Sequence, residues 1–86
     1  MTYRVEFTRA AAKQVRKLPR QIRDRILTAV AGLAAEPRPQ GAKKLVGEDT
    51  AWRIRIGNYR VIYDVLDEEL IVTVVRAGHR REVYRR

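Results

Sequence analysis

The chain has 86 residues, of which 45% are hydrophobic and 34% are charged. This length suits one domain, residues 1–86, with a single modest core, and the composition is that of a folded protein rather than a disordered segment. The absence of cysteine excludes disulfides and thiolate metal sites. No apolar run approaches the ~20 residues of a membrane span, and the first residues do not resemble a signal peptide. We therefore expect a cytoplasmic protein without a membrane partner.

The charge balance indicates a polyanionic partner. The formal net charge is +9, the pI is about 10.8, and fifteen of the nineteen basic residues are arginines. Guanidinium groups bind phosphate oxygens in pairs and stack on bases, so this composition is typical of nucleic-acid-binding domains. The same excess also suits an acidic protein or a membrane surface, and charge alone leaves these partners open.

The N-terminal part of the chain predicts a strand followed by two helices. Residues 2–8 alternate between apolar and polar side chains, as in a half-buried strand. Thr8 can cap a short helix that runs to about Lys17, and Pro19 ends that helix while suiting the first turn of the next one. Apolar residues then recur at helical spacing over residues 20–35. The two helices form a hairpin whose apolar stripe covers a sheet.

The remaining residues predict an antiparallel sheet. Residues 37–50 are the longest irregular segment, and a β-hairpin follows at residues 52–63. The hairpin turns at Gly57-Asn58, because glycine adopts positive φ freely in two-residue turns. Residues 70–77 are rich in valine and isoleucine, which favours a central strand. The order β-α-α-β-β-β defines an α+β fold, an antiparallel sheet with the helical hairpin packed on one face.

The β-hairpin brings three arginines to one face of the sheet. With Gly57-Asn58 as the loop, Arg55 lies directly opposite Arg60, and Arg53 stands on the same side as both. Like charges directly opposite each other cost stability. The arrangement therefore predicts an anion-binding surface, although arginines at alternate strand positions also occur on sheet faces that contact only solvent.

The register of the last strand depends on the acidic turn before it. If Asp67-Glu68 is the loop, Tyr63 faces Val72 and the apolar face of the sheet stays continuous. Alternation carried to the end of the strand then places His79 on the same face as Arg60.

The residues after this strand complete a set suited to cutting RNA without a metal. His79, Arg80 and Arg81 follow Gly78 directly, and Tyr84 comes close behind. Attack by a ribose 2′-OH needs cations that neutralise the growing phosphate charge. It also needs one group that takes a proton and another that gives one to the leaving 5′ oxygen. Histidine suits either proton transfer near neutral pH, although a lone histidine and a C-terminal tyrosine also occur as incidental or packing residues.

Other chemistries have little support in the sequence. The acidic residues at position 64 and positions 67–69 crowd one turn and strand end without a histidine or a ligand-like spacing. There is no glycine-rich phosphate loop, and no serine or cysteine triad can be assembled. We expect neither a metal nor a cofactor.

Four segments carry a family resemblance through their order and separation. They are Arg16-Lys17-Leu18-Pro19, Lys44-Leu45 followed by Gly47, residues 52–63, and residues 78–84. With these segments, almost the whole chain resembles the RelE/ParE superfamily of toxins from bacterial and archaeal toxin–antitoxin modules. The resemblance implies a compact toxin that a small antitoxin of the RelB or Phd type neutralises by wrapping around it. For RelE-like members it implies an mRNA interferase, an endoribonuclease that enters the ribosomal A site and cleaves the messenger RNA there.

The resemblance also implies roles for individual residues. Arg60 matches the arginine proposed to stabilise the transition state, Arg80 matches a second phosphate-binding arginine, and Tyr84 matches the tyrosine that orients the substrate. Arg53 and Arg55 stand where the best-known relatives carry lysines. Because arginine stays protonated at pH 7, neither can be a general base. Proton transfer then shifts to the histidine or to the C-terminal tyrosine.

The candidate site combines both lines of reasoning. The candidate catalytic residues are Arg60, His79, Arg80 and Tyr84. The candidate substrate-binding residues are Lys43, Lys44, Arg53, Arg55 and Arg81.

Two other functions remain open at this point. A ParE-like member of the superfamily would inhibit DNA gyrase without cutting RNA, and an inactive module would serve only to bind its antitoxin. In every case the positive charge predicts an acidic or amphipathic antitoxin that shields the arginines.

Overall fold

Two helices pack on one face of a five-stranded sheet in the computed structural model, which describes residues 2–79 of the chain. The elements are β1 (Arg4–Phe7), α1 (Arg9–Arg16), α2 (Arg20–Gly32), β2 (Lys43–Lys44), β3 (Ala51–Ile56), β4 (Tyr59–Leu66) and β5 (Ile71–His79). The strand order across the sheet is β1-β5-β4-β3-β2. The predicted α+β class and the helical hairpin on one face are confirmed. Neither helix in this part of the chain is long and apolar enough to cross a membrane.

Local signals set the limits of both helices. The Thr8 side chain accepts a 3.1 Å hydrogen bond from the Ala11 amide and caps α1 as predicted. Pro19 stands directly before α2, where its missing amide hydrogen costs no helical hydrogen bond. The sequence pattern extends the second helix to residue 35, but α2 ends at Gly32. Its last turn tightens there, because the Leu33 amide donates to the carbonyl three residues back instead of four.

The core lies between the helices and the facing side of the sheet. Its members are Ala11, Val15, Ile26, Val30, Leu33, Ile54, Ile56, Val61, Tyr63, Val65, Val72, Val74 and Ala77. Tyr63 is the largest fully buried side chain of the described residues, and its hydroxyl donates a 2.7 Å hydrogen bond to the Pro37 carbonyl oxygen. Burial raises the pKa of Tyr63 to about 12. The phenol therefore stays neutral, and its buried oxygen keeps a partner.

The hairpin of β3 and β4 has the predicted register. Arg55 pairs with Arg60 and Ile54 pairs with Val61. Gly57 has a φ of +59° in the two-residue turn, a conformation that strains residues with a Cβ atom. The observed register confirms the predicted pairing. The physical reason is that such a short turn leaves the two strands no freedom of register.

The sheet is mixed, which corrects the prediction of an antiparallel sheet. β1 pairs with β5 in parallel, from Arg4 with Ile71 to Phe7 with Val74. Short turns impose the antiparallel direction on β3, β4 and β5, whereas the helical hairpin after β1 imposes no direction that the sequence reveals. A two-residue strand, β2, also forms at the other edge, within the segment that the sequence leaves irregular.

The connection between β4 and β5 is longer than predicted, and the predicted register of β5 is wrong. Residues 67–70 form the turn, so Tyr63 pairs with Val74 instead of Val72. Leu70 ends the turn with a φ of +55°, a left-handed conformation that glycine or asparagine usually supplies. A leucine gives no sequence signal for such a turn, which is why the shorter loop is the natural expectation.

A β-bulge at Val75 changes the alternation of side chains in the last part of β5. The adjacent residues Tyr63 and Ile62 of β4 pair with Val74 and Arg76, so Val75 is an extra residue without a partner on β4. Arg76 therefore stands on the face away from the helices, whereas unbroken alternation would bury its charge in the core.

Hydrogen bonds with Thr8, the residue that caps α1, and with Gln14 within α1 hold this bulge in place. The Thr8 hydroxyl donates to the Val75 carbonyl oxygen at 3.4 Å, and the Thr8 amide donates to the Val74 carbonyl oxygen at 2.9 Å. The Gln14 side-chain oxygen accepts a 2.9 Å hydrogen bond from the Ala77 amide. The bulge thus depends on tertiary contacts rather than on the sequence of β5 alone.

The substitution Gln14→Leu should lower the free energy of unfolding by about 1–2 kcal/mol, because the partly buried Ala77 amide loses its acceptor. Urea unfolding followed by circular dichroism measures this. Gln21→Leu, on the exposed side of α2, is the matched control and should change the same quantity by less than about 0.5 kcal/mol. Equal effects of the two substitutions would show that Gln14 does not support the bulge.

A charged cluster ties the segment after α2 to the turn between β4 and β5. Arg38 donates to both carboxylate oxygens of Asp67, at 3.2 and 2.7 Å, and the Tyr3 hydroxyl donates to the same carboxylate at 2.6 Å. The Arg38 guanidinium also lies over Trp52, 5.3 Å from the ring centroid. Hydrogen bonds from Arg38 and Tyr3 hold the pKa of Asp67 below its ordinary value.

The lowered pKa of Asp67 makes stability depend on pH. A carboxylate whose folded pKa lies below its unfolded value, about 3.9 for aspartate, stabilises the fold above that value and loses its contribution as the pH falls through the folded pKa. The free energy of unfolding of the parent should therefore converge on that of Asp67→Asn as the pH falls below about 4. Denaturant titrations at constant ionic strength measure this, with Glu69→Gln in the same turn as the control. A gap that stays constant down to about pH 2 would contradict the role of the cluster.

Candidate functional site

The face of the sheet that turns away from the helices carries a cluster of basic side chains. Cross-strand pairing places them in two neighbouring rows, because paired residues stand on the same face. One row consists of Arg55 and Arg60. The next row consists of Lys43, Arg53, Ile62 and Arg76. We name the five basic residues of these rows, Lys43, Arg53, Arg55, Arg60 and Arg76, the arginine face.

Arg60 is the buried member of the arginine face. It is 8% exposed, and within residues 2–79 its Nε and Nη1 atoms are buried without a hydrogen-bond partner. Its partner on β5 is Gly78, which adds no side chain beside the guanidinium. Burying a charge without a partner is costly. The Nε and Nη1 atoms of Arg60 are therefore donors without an acceptor among residues 2–79, on a cation that an anion would stabilise.

Ion pairs neutralise other arginines in the described part of the chain but not those of the β3–β4 hairpin. Arg4, at the far edge of the same sheet face, pairs with Glu6 at 2.8 Å. Arg53, Arg55 and Arg60 belong to none of the ion pairs formed among residues 2–79. Their charges add to one another, which makes this surface suited to a phosphodiester chain.

The two lysines of the candidate site separate in the structure. Lys43 pairs with Arg53 and shares the arginine face, whereas Lys44 pairs with Trp52 and stands on the helix side of the sheet. Only Lys43 is therefore brought together with the arginines.

His79 stands on the face opposite to Arg60, and the alternation assumed from the sequence is wrong there. His79 pairs with Tyr59, and the two rings meet edge to face with their centroids 5.8 Å apart. Tyr59 packs against the core, while its neighbour Arg60 points to the other side. The bulge at Val75 is the physical reason, because one extra residue reverses the alternation of all residues beyond it.

Arg76 belongs to the arginine face but is not among the predicted site residues. The bulge brings it opposite Ile62, in the row that also holds Arg53. The signal is present in the sequence, because Val72 and Val74 are core residues and unbroken alternation would bury a charge at position 76. A charge at such a position is a sign that the alternation breaks nearby, but it does not locate the bulge.

The remaining predicted residues, Arg80, Arg81 and Tyr84, lie outside the described residues. Their roles stay predictions. Within residues 2–79, no three or more histidine, cysteine, aspartate or glutamate side chains come together in a group that could hold a metal ion.

Comparison with known proteins shows the family. Residues 5–84 match the family model described as the ParE toxin of type II toxin-antitoxin system, parDE. This match spans nearly all of the chain, and the protein belongs to the RelE/ParE superfamily of toxins of type II toxin–antitoxin systems, as the resemblance predicts.

Individual relatives carry RelE-type names. The chain is 36% identical to Toxin RelG of Mycobacterium tuberculosis, with 100% of both chains covered. It is 33% identical to the mRNA interferase toxin RelE of Escherichia coli strain K12, over 98% of this chain and 92% of the relative. The fold is similar to the archaeal RelE–RelB complex from Pyrococcus horikoshii, with a TM-score of 0.83, 31% identity and coverage of 95% and 99%. It is also similar to the toxin–antitoxin complex RelBE2 from Mycobacterium tuberculosis, with a TM-score of 0.80, 32% identity and coverage of 95% and 95%.

The substitution Arg60→Met tests whether the buried guanidinium serves binding rather than folding. Methionine keeps a long side chain and removes the unpaired charge, so the free energy of unfolding should stay the same or rise by about 1–2 kcal/mol. Urea unfolding of the isolated protein measures this, and inorganic phosphate should raise the unfolding midpoint of the parent more than that of the variant. Arg4→Met, which removes an exposed ion pair, is the matched control. A loss of stability specific to Arg60→Met would show that Arg60 supports the fold.

Proposed function

We propose that this toxin is a metal-independent endoribonuclease that cleaves messenger RNA in the ribosomal A site and so inhibits translation. The names of its relatives support the reaction class, since the RelE protein of E. coli is named an mRNA interferase toxin. The arginine face supports the substrate class, because Arg53, Arg55 and Arg60 form no ion pair among residues 2–79 and their guanidinium groups suit a chain of phosphates.

Arg60 carries the proposal. When the ribose 2′ oxygen attacks the adjacent phosphorus, negative charge grows on the non-bridging phosphate oxygens. The Nε and Nη1 atoms of Arg60 have no acceptor among residues 2–79, so they are the donors proposed to stabilise this charge. The P–O5′ bond then breaks, the proton of the 2′-OH passes to a base, and the leaving 5′ oxygen receives a proton.

The other members of the arginine face position the substrate. Lys43, Arg53 and Arg55 flank Arg60 on the same face of the sheet and hold the neighbouring phosphates. Arginine stays protonated, so Arg53 and Arg55 cannot take the proton of the 2′-OH. Lys44 stands on the helix side, and its proposed contact with RNA is separate from this cluster.

Proton transfer is assigned to the C-terminal segment. The edge-to-face contact of His79 with Tyr59 on the helix side leaves Tyr84 as the better candidate, with Arg80 and Arg81 as further phosphate ligands. Arginine cannot act as a general base at neutral pH, so the site needs help in arranging its substrate. The ribosome supplies that help by holding the message in a reactive geometry.

The proposed partner in the inactive state is a cognate antitoxin of the RelB type. The structural neighbours from P. horikoshii and M. tuberculosis are complexes of a toxin with its antitoxin. An acidic or amphipathic segment laid over the arginine face would neutralise the charges of Arg53, Arg55 and Arg60, which lack ion pairs among residues 2–79.

Expression of the toxin alone should arrest growth, and primer extension on a translated message should show breaks in phase with the codons. Arg60→Ala should reduce cleavage by about 100-fold to 1,000-fold, as expected for the loss of transition-state donors. Arg4→Ala is the matched control, since Arg4 lies on the same sheet face but is already paired with Glu6, and it should cleave like the parent.

Two outcomes of this experiment contradict the proposal. DNA breaks and an SOS response with intact messages would identify a gyrase inhibitor, the activity class that the ParE name of the family model brings into consideration. Normal growth of cells that express the chain alone would identify an inactive module that only binds its antitoxin.

A further inference from the structure

β5 loses its strand neighbour on one side halfway along its length. β1 ends at Phe7, which pairs with Val74, while β5 continues to His79. From Val75 onward, no strand among residues 2–79 pairs with this edge of β5, although residues 77–78 are buried. Buried backbone amides need an acceptor. In this part of the chain, the first helix and its capping residue supply the partners that a longer β1 would supply.

Gln14 provides the acceptor for Ala77, and the direction of this hydrogen bond depends on the bulge. The Thr8 amide donates to the Val74 carbonyl oxygen, so the backbone groups of Val74 face β1. Backbone groups alternate between the two edges of a strand, and an unbroken strand would therefore turn the amide of Ala77 toward β4. The 2.9 Å bond to Gln14 exists only because one extra residue, Val75, precedes Ala77 at the bulge.

The bulge decides which residues of β5 reach the arginine face. In the structure Gly78 pairs with Arg60, and Arg76 stands on the arginine face. Without the extra residue every pair would shift by one, so Ala77 would pair with Arg60 and bring a methyl group beside it. Arg76 would then pair with Val61 on the core side of the sheet. A hydrogen bond on the helix side thus controls the composition of the face on the other side.

Arg76 gives the arginine face a cation on its second side. The other flanking cations lie on β2 and β3, to one side of Arg60, whereas the exposed Arg76 lies on β5, to the other side. Neighbouring strands are about 4.8 Å apart, so Arg53 and Arg76 stand on the order of 10 Å from each other. RNA that crosses the strands would meet cations on both sides of the buried guanidinium.

We propose that Gln14, on the helix side of the sheet, is a positioning residue for RNA binding on the opposite side. By holding the bulge in β5, it turns Arg76 toward the message and keeps a glycine beside Arg60. Arg76 then binds a phosphate of the message. This inference rests on the proposed function, because it adds one ligand and its structural support to the same site.

A double-mutant cycle between Gln14 and Arg76 tests this coupling in RNA binding. The probe is a short 2′-O-methyl RNA oligonucleotide, whose blocked 2′ oxygen cannot attack the phosphorus, so binding is measured without cleavage. Gln14→Leu and Gln14→Asn both withdraw the acceptor, because leucine has none and asparagine is one methylene shorter. Gln14→Glu keeps an acceptor at the same reach. Each variant is combined with Arg76→Gln, and circular dichroism checks that it is folded.

Arg76→Gln should weaken oligonucleotide binding about fivefold at about 0.1 M salt and lower the slope of log K against log salt by about 0.7. In the Gln14→Leu and Gln14→Asn backgrounds the same substitution should change the dissociation constant by less than about twofold, because Arg76 no longer faces the RNA. Gln14→Glu should restore the full effect of Arg76→Gln, which a general loss of stability would not explain.

Two controls separate positioning from general effects. Ile26→Val removes a methyl group from a fully buried side chain and destabilises the fold through the core. Arg76→Gln should keep its full effect in that background. Arg55 owes its place to the two-residue turn of the β3–β4 hairpin and not to the bulge. Arg55→Gln should therefore weaken binding by the same factor in the parent and in Gln14→Leu.

The proposal is overturned if Arg76→Gln has no effect in the parent, or has the same effect in the parent and in both variants without the acceptor. It is also overturned if Gln14→Glu does not restore the effect. Failure of the proposed function is recognised separately. A parent that leaves translated messages intact would contradict the nuclease, whereas the coupling between Gln14 and Arg76 would still stand, because its measurement involves no cleavage.

Discussion

The central strand β4 is hydrogen-bonded to a neighbour on each side and is buried on both faces over most of its length. Its alternation sends Val61, Tyr63 and Val65 into the core, and the residues between them must then point the other way. The position of Arg60 follows from this constraint. Because the core side of the strand is occupied by apolar side chains, its guanidinium lies on the face away from the helices. The same packing that stabilises the fold thus buries the cation, and the proposed reaction relies on its charge.

Much of this arrangement can be predicted from the sequence. The parts that cannot be predicted have one physical cause in common. The pairing of Arg55 with Arg60 is predictable because a two-residue turn and strict alternation set it locally. The bulge at Val75 depends on hydrogen bonds from Thr8 and Gln14, which are distant in sequence. Local pattern therefore finds the arginines of the hairpin but misplaces His79 and misses residue 76.

The parallel edge strand and the turn that ends at Leu70 escape prediction for the same reason. The direction of β1 is set by how the helical hairpin packs on the sheet, and no short turn records it in the sequence. The turn is held by Tyr3 and Arg38, which reach Asp67 from other parts of the chain. Where tertiary contacts decide the geometry, residue spacing alone is uninformative.

The presence of arginine rather than lysine at positions 53 and 55 has a consequence for the proposed cleavage. A guanidinium group stays charged in the range where proteins stay folded, so these arginines contribute a constant positive charge over that range. The pH–rate profile of the proposed cleavage therefore carries no ionisation from these arginines. Any inflection in it reports a proton held by another group, on the RNA, on the ribosome or elsewhere in the chain.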